Sequence, residues 1–120
     1  MITPNETEAS ALTGIKIKDL SDVKKAATRL LEFGSQYVLI TMGANGVYLA
    51  SQNDEFEYIP SPKVTTVDST AAGDCFNGTL AVAISQGLSV REATKKACIA
   101  ASISVTRKGA QDSMPFLSEL

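Results

Sequence analysis

A chain of 120 residues that is 44% hydrophobic and 20% charged has the length of one domain, or a piece of one, and enough apolar material for a core. Eleven Lys and Arg against thirteen Asp and Glu leave a net charge of −2, so no field draws the chain to nucleic acid or to an anionic membrane. There is no histidine, which removes imidazole bases, Ser–His triads and His-ligated metals; any general base must be a carboxylate or, less suitably, Lys, Tyr or Cys. No apolar run approaches a membrane span, and the start MITPNETE is not a signal peptide, so the expected compartment is the cytoplasm. Cys75 and Cys98 form no CxxC and fall in predicted helices, where they read as buried, reduced thiols.

In chain order, Met1-Ile2 looks like the end of a strand. Thr3, Pro4 and Glu6 then form a helix start, with Thr3 as cap, Pro4 at the first helical position and Glu6 completing a capping box. That helix covers residues 4–12 and stops at Gly14. Asn5 and Glu8 lie three apart on one face of it, where two polar groups suit a phosphate–Mg²⁺ complex; without context they are equally plain surface residues. Asp19 or Ser21 opens a second helix running to Phe33, with Val23, Ala26, Ala27, Leu30 and Leu31 as its apolar stripe. Gly34 ends it. The run YVLIT at Tyr37–Thr41 is short, continuous and apolar, the mark of a central parallel strand buried on both faces.

Gly43-Ala44-Asn45-Gly46 follows, and residues 47–50 resume a strand, so Asn45-Gly46 reads as a hairpin turn. Glycines at the C-terminal end of a strand also suit a nucleotide, because open α/β sheets bind ligands there. After a turn at residues 52–54, residues 55–60 alternate Phe56 and Tyr58 against Glu55 and Glu57, a half-exposed strand. A small antiparallel meander is thus expected after the parallel strand.

Residues 64–67, Val-Thr-Thr-Val, lead into DSTAAGD at residues 68–74 and then into a long apolar stretch. Strand, tight small-residue turn and helix make an anion-binding layout. A helix start has free backbone N–H groups and the positive end of the macrodipole. Ala71, Ala72 and Gly73 have little or no side chain, so an anion's oxygens can come close to those groups. Asp74 adds a carboxylate where a base belongs. By itself the stretch also reads as an ordinary helix start with an acidic first turn. The following helix, residues 72–86, is apolar on most faces (Phe76, Leu80, Val82, Ala83, Ile84), which predicts that it is buried. Gly87 ends it. Ser89 with Glu92 forms a capping box for a last helix reaching about Thr106, whose Ala93, Ala97, Ala100, Ala101, Ile103 and Ser104 face allows close packing. Residues 111–120 read as loop. There is no GxxxxGK[ST] and no GxGxxG, and the GxxG of residues 43–46 lies between strands of an acidic protein, unlike an RNA-binding loop.

Four stretches together carry a resemblance: NETEASALTG at residues 5–14, LITMGANGV at 39–47, VDSTAAGDCFNG at 67–78 and SVTRKGAQDSMP at 104–115. In this order and spacing the chain resembles the C-terminal part of the PfkB-type carbohydrate kinases, the ribokinase family, and VTRKGAQ is closest to its ribokinase branch. The resemblance implies an α/β fold: the C-terminal part of a ribokinase-like three-layer αβα domain, with a partial, mostly parallel sheet and a small antiparallel meander. It implies transfer of the ATP γ-phosphate to a sugar hydroxyl, ribose to ribose 5-phosphate. Asp74 matches the catalytic base, and Ala71, Ala72 and Gly73 match the backbone anion hole. Asn5 and Glu8 match an NxxE motif that acts on Mg²⁺ and phosphate. Thr41, Met42, Gly43, Ala44, Asn45 and Gly46 match the loop along the nucleotide. Asp68, Thr70, Ser104, Arg107, Gly109 and Ser113 fall at positions around a K⁺ ion, mostly as carbonyl or short oxygen donors. Cys98 stands near adenine and ribose, where relatives usually carry Asn or His. The family's N-terminal part, with most sugar contacts and the β lid, has no counterpart in these residues. The expected behaviour is self-association or a need for that part, with sugar and nucleotide as partners.

Overall fold

The structure is a computed structural model that describes residues 1–64 and 72–106. The chain divides into two compact units, Met1–Ile59 and Pro60–Leu120. In the first unit the opening residues run parallel to strand β1 (Tyr37–Thr41), with Ile2 bridged to Val38 and Asn5 to Thr41. The bonds are Ile2 N–H to Tyr37 O at 3.1 Å, Leu39 N–H to Ile2 O at 3.0 Å and Thr41 N–H to Pro4 O at 2.9 Å.

This pairing moves the start of the first helix. Helix α1 is Glu6–Thr13, and its cap is Asn5, not Thr3. Asn5 Oδ1 accepts from the Glu8 N–H at 2.7 Å, and Glu8 Oε1 accepts from the Asn5 N–H at 3.0 Å. The capping box therefore lies two residues later than the Thr3–Glu6 pair. Pro4 is held extended by the bond from Thr41, so the chain cannot turn helical until that ladder ends. Gly14 closes α1 at φ 73°, its N–H donating to Ser10 O.

Helix α2 (Leu20–Glu32) is capped by Asp19, whose carboxylate accepts from the Asp22 N–H at 3.0 Å. The expected stripe of Val23, Ala26, Ala27, Leu30 and Leu31 is buried. It shares one core with Ala9 and with Val38, Ile40, Met42, Tyr48 and Ala50 of the sheet side. Strand β1 has Val38, Leu39 and Ile40 buried in succession, so both of its faces are covered. Strands β2 (Val47–Ser51) and β3 (Phe56–Ile59) complete an antiparallel sheet in the order β1-β2-β3. The meander is as expected. Among the described residues the regular strands all pair antiparallel, and parallel pairing is confined to the two bridges from Ile2 and Asn5. A short connection permits only the antiparallel partner, whereas the parallel partner is reached through α1 and α2.

In the second unit, helix α3 (Ala72–Ser85) packs against helix α4 (Val90–Ser104). Ser89 caps α4, its hydroxyl accepting from the Glu92 N–H at 3.2 Å. Cys75, Phe76, Leu80 and Ala83 of α3 are buried, as are Ala93, Thr94, Ala97, Cys98, Ala100, Ser102 and Ser104 of α4. Small residues let the two helices come close. Their buried hydroxyls donate back into their own helix, Thr94 to Val90 O at 2.7 Å and Ser104 to Ala101 O at 2.8 Å. The expectation that α3 is buried on most faces does not hold. Val82 is 44% exposed and Gly73, Asn77, Gly78 and Ala81 lie on the surface, because a Gly- and Ala-rich helix scores as apolar without having bulk to bury. No helix among the described residues is long and apolar enough to cross a membrane.

Candidate active site

The first unit holds Asn5, Glu8 and residues 41–46. The parallel bridge from Asn5 to Thr41 sets the capping box of α1 beside the end of β1, where the glycine loop starts. Two motifs more than thirty residues apart in the chain thus meet at one end of the sheet, the C-terminal end of β1.

The loop is not the two-residue hairpin expected. Register pairs Thr41 with Val47, so five residues, 42–46, make the connection. Gly43–Asn45 form a 3₁₀ turn. Met42 N–H donates to Gly46 O at 2.8 Å, Asn45 N–H to Met42 O at 3.1 Å and Gly46 N–H to Gly43 O at 3.1 Å. A two-residue type I′ turn needs positive φ at both central residues, and here the positive values fall on Gly43 at 58° and Gly46 at 97°, not on Asn45. Met42 is buried, while Gly43, Ala44 and Asn45 are exposed. The Tyr58 hydroxyl donates to the Asn45 carbonyl. Sequence reasoning took Tyr58 only as an alternating strand residue. The register that sets it opposite Tyr48, two residues beyond the loop, is what gives it this contact.

The second unit holds Ala72, Gly73, Asp74, Cys98 and Ser104. Ala72, Gly73 and Asp74 are the first three residues of α3, and Gly73 and Asp74 are exposed. Among the described residues nothing lies within 4 Å of a Cβ placed on Gly73. Backbone N–H groups of a first turn have no partner within the helix, and the macrodipole favours negative charge there. Cys75, next in sequence to Asp74, is fully buried, and its thiol hydrogen-bonds with Thr79 and with Ser104 at the far end of α4. Burial pushes that thiol above its ordinary range despite the two bonds. The start of α3 and residue 104 are therefore neighbours. Cys98 is also buried, pushed up by burial, and hydrogen-bonded to Ser61. Among the described residues no three His, Cys, Asp or Glu side chains gather as a metal site. Asp68, Thr70, Ala71, Arg107, Gly109 and Ser113 lie outside the described residues.

Residues 1–117 match the family described as pfkB family carbohydrate kinase. A ribokinase of Haemophilus influenzae is 44% identical over 119 residues, 99% of this chain and 39% of that protein. The solved structure of Arabidopsis thaliana ribokinase complexed with ribose and ATP superposes with a TM-score of 0.91 at 36% identity, covering 98% of this chain and 38% of that one. A double mutant of Vibrio cholerae O395 fructokinase, solved with fructose, ADP and potassium ion bound, gives a TM-score of 0.82 at 25% identity over 97% of this chain and 37% of its own. The chain spans about two fifths of the length of the curated relatives it matches. Nucleotide, sugar and a monovalent cation are thus ligands of proteins sharing this fold. The ribokinase-type α/β architecture and the match over nearly every residue lead to one conclusion: the chain belongs to the pfkB family of carbohydrate kinases.

Proposed function

We propose that residues 1–120 form the C-terminal nucleotide-binding and catalytic portion of an ATP-dependent sugar kinase, with ribose to ribose 5-phosphate as the first candidate reaction. The observation that carries this reading is the start of α3, where Asp74 and Gly73 are both exposed and where, among the described residues, nothing lies within 4 Å of a Cβ placed on Gly73. An anion fits such a place, because unpaired N–H groups and the helix dipole stabilise its charge without moving. In this reading Asp74 takes the proton of the attacking sugar hydroxyl. The N–H groups of Ala71, Ala72 and Gly73 hold the phosphoryl oxygens as charge spreads over them. Thr41, Met42, Gly43, Ala44, Asn45 and Gly46 flank the nucleotide, and Cys98 contributes packing near its base. Mg²⁺ would supply charge neutralisation on the phosphates, and Glu8 with Asn5 is the carboxylate and amide pair suited to it. For K⁺, Ser104 offers its backbone carbonyl, or its hydroxyl oxygen, which keeps lone pairs while its O–H donates to Ala101 O; Asp68, Thr70, Arg107, Gly109 and Ser113 complete the proposed set. The sugar is recognised by polypeptide outside these residues, joined to them or associated with them, and the isolated chain is expected to self-associate. A nucleotide-binding segment without turnover is the second reading, which a turnover measurement separates from the first. Another sugar or nucleoside of the same family is a variant of the first.

Calorimetric titration with ADP and Mg²⁺, in potassium and then in sodium buffer, tests the proposal. Binding strengthened by potassium is the expected result, and no binding in either buffer would sink it. Ribose-dependent ADP release then separates the kinase from the non-catalytic segment. Asp74→Asn is expected to lower that turnover by at least about 10²-fold while ADP affinity stays within about twofold. Loss of ADP binding in this variant would contradict a base.

A further inference from the structure

We propose that Tyr58 is a positioning residue whose hydroxyl fixes the shape of the loop at residues 42–46 and, through it, the affinity for nucleotide; the nucleotide half of this rests on the function proposed above. The loop joins β1 to β2, but Tyr58 belongs to β3. Its register partner is Tyr48, one residue past the loop's exit at Val47, so its ring stands beside the loop and its hydroxyl reaches the Asn45 carbonyl. The peptide between Asn45 and Gly46 is thereby held at both ends. Its carbonyl accepts from Tyr58, and its N–H donates to Gly43 O at 3.1 Å.

Side-chain packing holds this loop at its entrance, where Met42 is buried in the core, and does little for the stretch that follows. Gly43, Ala44 and Asn45 are exposed, and both glycines sit at positive φ, where the backbone is permissive. Beside it lies a cavity of about 360 Å³ bordered by Glu6, Lys18, Asp19, Met42, Asn45 and Tyr58 itself, so the loop has room to move. Hydrogen bonds must then define its shape, and the one from Tyr58 ties it to a different strand. Tyr58 is 43% exposed, so burial is a weak reason for an aromatic at this sheet edge; the hydroxyl is the better one. A loop already in its binding shape loses less conformational freedom when a ligand arrives.

The test compares the chain with Tyr58→Phe and Tyr58→Leu in three measurements: amide hydrogen exchange, ADP–Mg²⁺ affinity and the urea midpoint. One lost hydrogen bond corresponds to about a three- to tenfold change. Both variants are expected to speed exchange at residues 43–46 by that factor and to raise the ADP Kd by a similar factor, while exchange in β1 and α2 and the urea midpoint shift by no more than the loss of that one hydrogen bond. Unchanged loop exchange in Tyr58→Phe would overturn the proposal, as would faster exchange with unchanged ADP affinity. A defect in Tyr58→Leu alone would assign the effect to the ring and overturn it too. Failure of the unaltered chain to bind ADP strikes the parent function instead, and shows before any variant is made.

Discussion

Asn5 and Glu8 show how one pair of side chains serves two levels of organisation. Each accepts the other's backbone N–H, at 2.7 and 3.0 Å, so two donors at the start of α1 are satisfied. The same box fixes Asn5 in the extended backbone that bridges Thr41. The two roles, cap and proposed Mg²⁺–phosphate contact, separate by substitution. Asn5→Ala is expected to cost about 1 kcal/mol in urea unfolding, whereas Asn5→Asp, which still caps, is expected to cost less than half of that. Glu8→Gln keeps an oxygen for the Asn5 N–H, so stability should hold within about 0.5 kcal/mol while the Mg²⁺ dependence of ADP binding weakens. A Glu8→Gln chain with wild-type Mg²⁺ dependence would leave the pair a cap and nothing more.

At the scale of the element, α3 carries two glycines that its own packing does not require. Among the described residues a Cβ on Gly73 or Gly78 meets nothing within 4 Å, and neither has positive φ. Glycine inside a helix is about 1 kcal/mol less favourable than alanine. Gly78→Ala is therefore expected to stabilise the chain by about 0.5–1 kcal/mol, read as a higher urea midpoint; a loss of stability would mean that something covers that surface in solution. Gly73→Ala should also be tolerated by the fold. If the helix start binds phosphate, however, the added methyl stands near the approaching oxygens, and ADP affinity is expected to drop. A gain of stability with a loss of affinity is a signature that simple helix propensity cannot produce.

Taken as a whole, the chain couples its stability to pH through its two cysteines. Burial raises both thiols above the ordinary value of 9.0. In the unfolded chain they ionise near 9.0, while in the folded chain they hold their protons to higher pH. Above that point the unfolded state binds fewer protons, so stability falls as pH rises. The contribution is fully present below pH 9 and fades as pH climbs through the folded values, with a slope of at most about 1.4 kcal/mol per pH unit per thiol. Tyr48, raised by burial from 10.0, adds to the same alkaline loss. Urea unfolding between pH 7 and pH 10.5 should show a plateau and then a decline, shallower in Cys98→Ala. Both thiols should react with a bulky disulfide reagent only as fast as the chain opens.

The sequence by itself determined the helices, their apolar stripes and the meander, because these follow from local periodicity and from end signals such as Asp19, Gly14, Ser89 and Gly87. Its motifs, spread over most of the chain, also pointed to the family. Tertiary structure decided what depends on pairing. The cap of α1 moved from Thr3 to Asn5 because residues before it are held against β1, and the partner strand lies more than thirty residues on. The expected Asn45-Gly46 turn became a five-residue loop because the register of β1 with β2 sets its length, and the dipeptide does not encode that register. Tyr58 became a neighbour of the loop for the same reason. Ser104 came to lie against Cys75 because α4 packs back on α3, a contact between residues twenty-nine positions apart that no local pattern records.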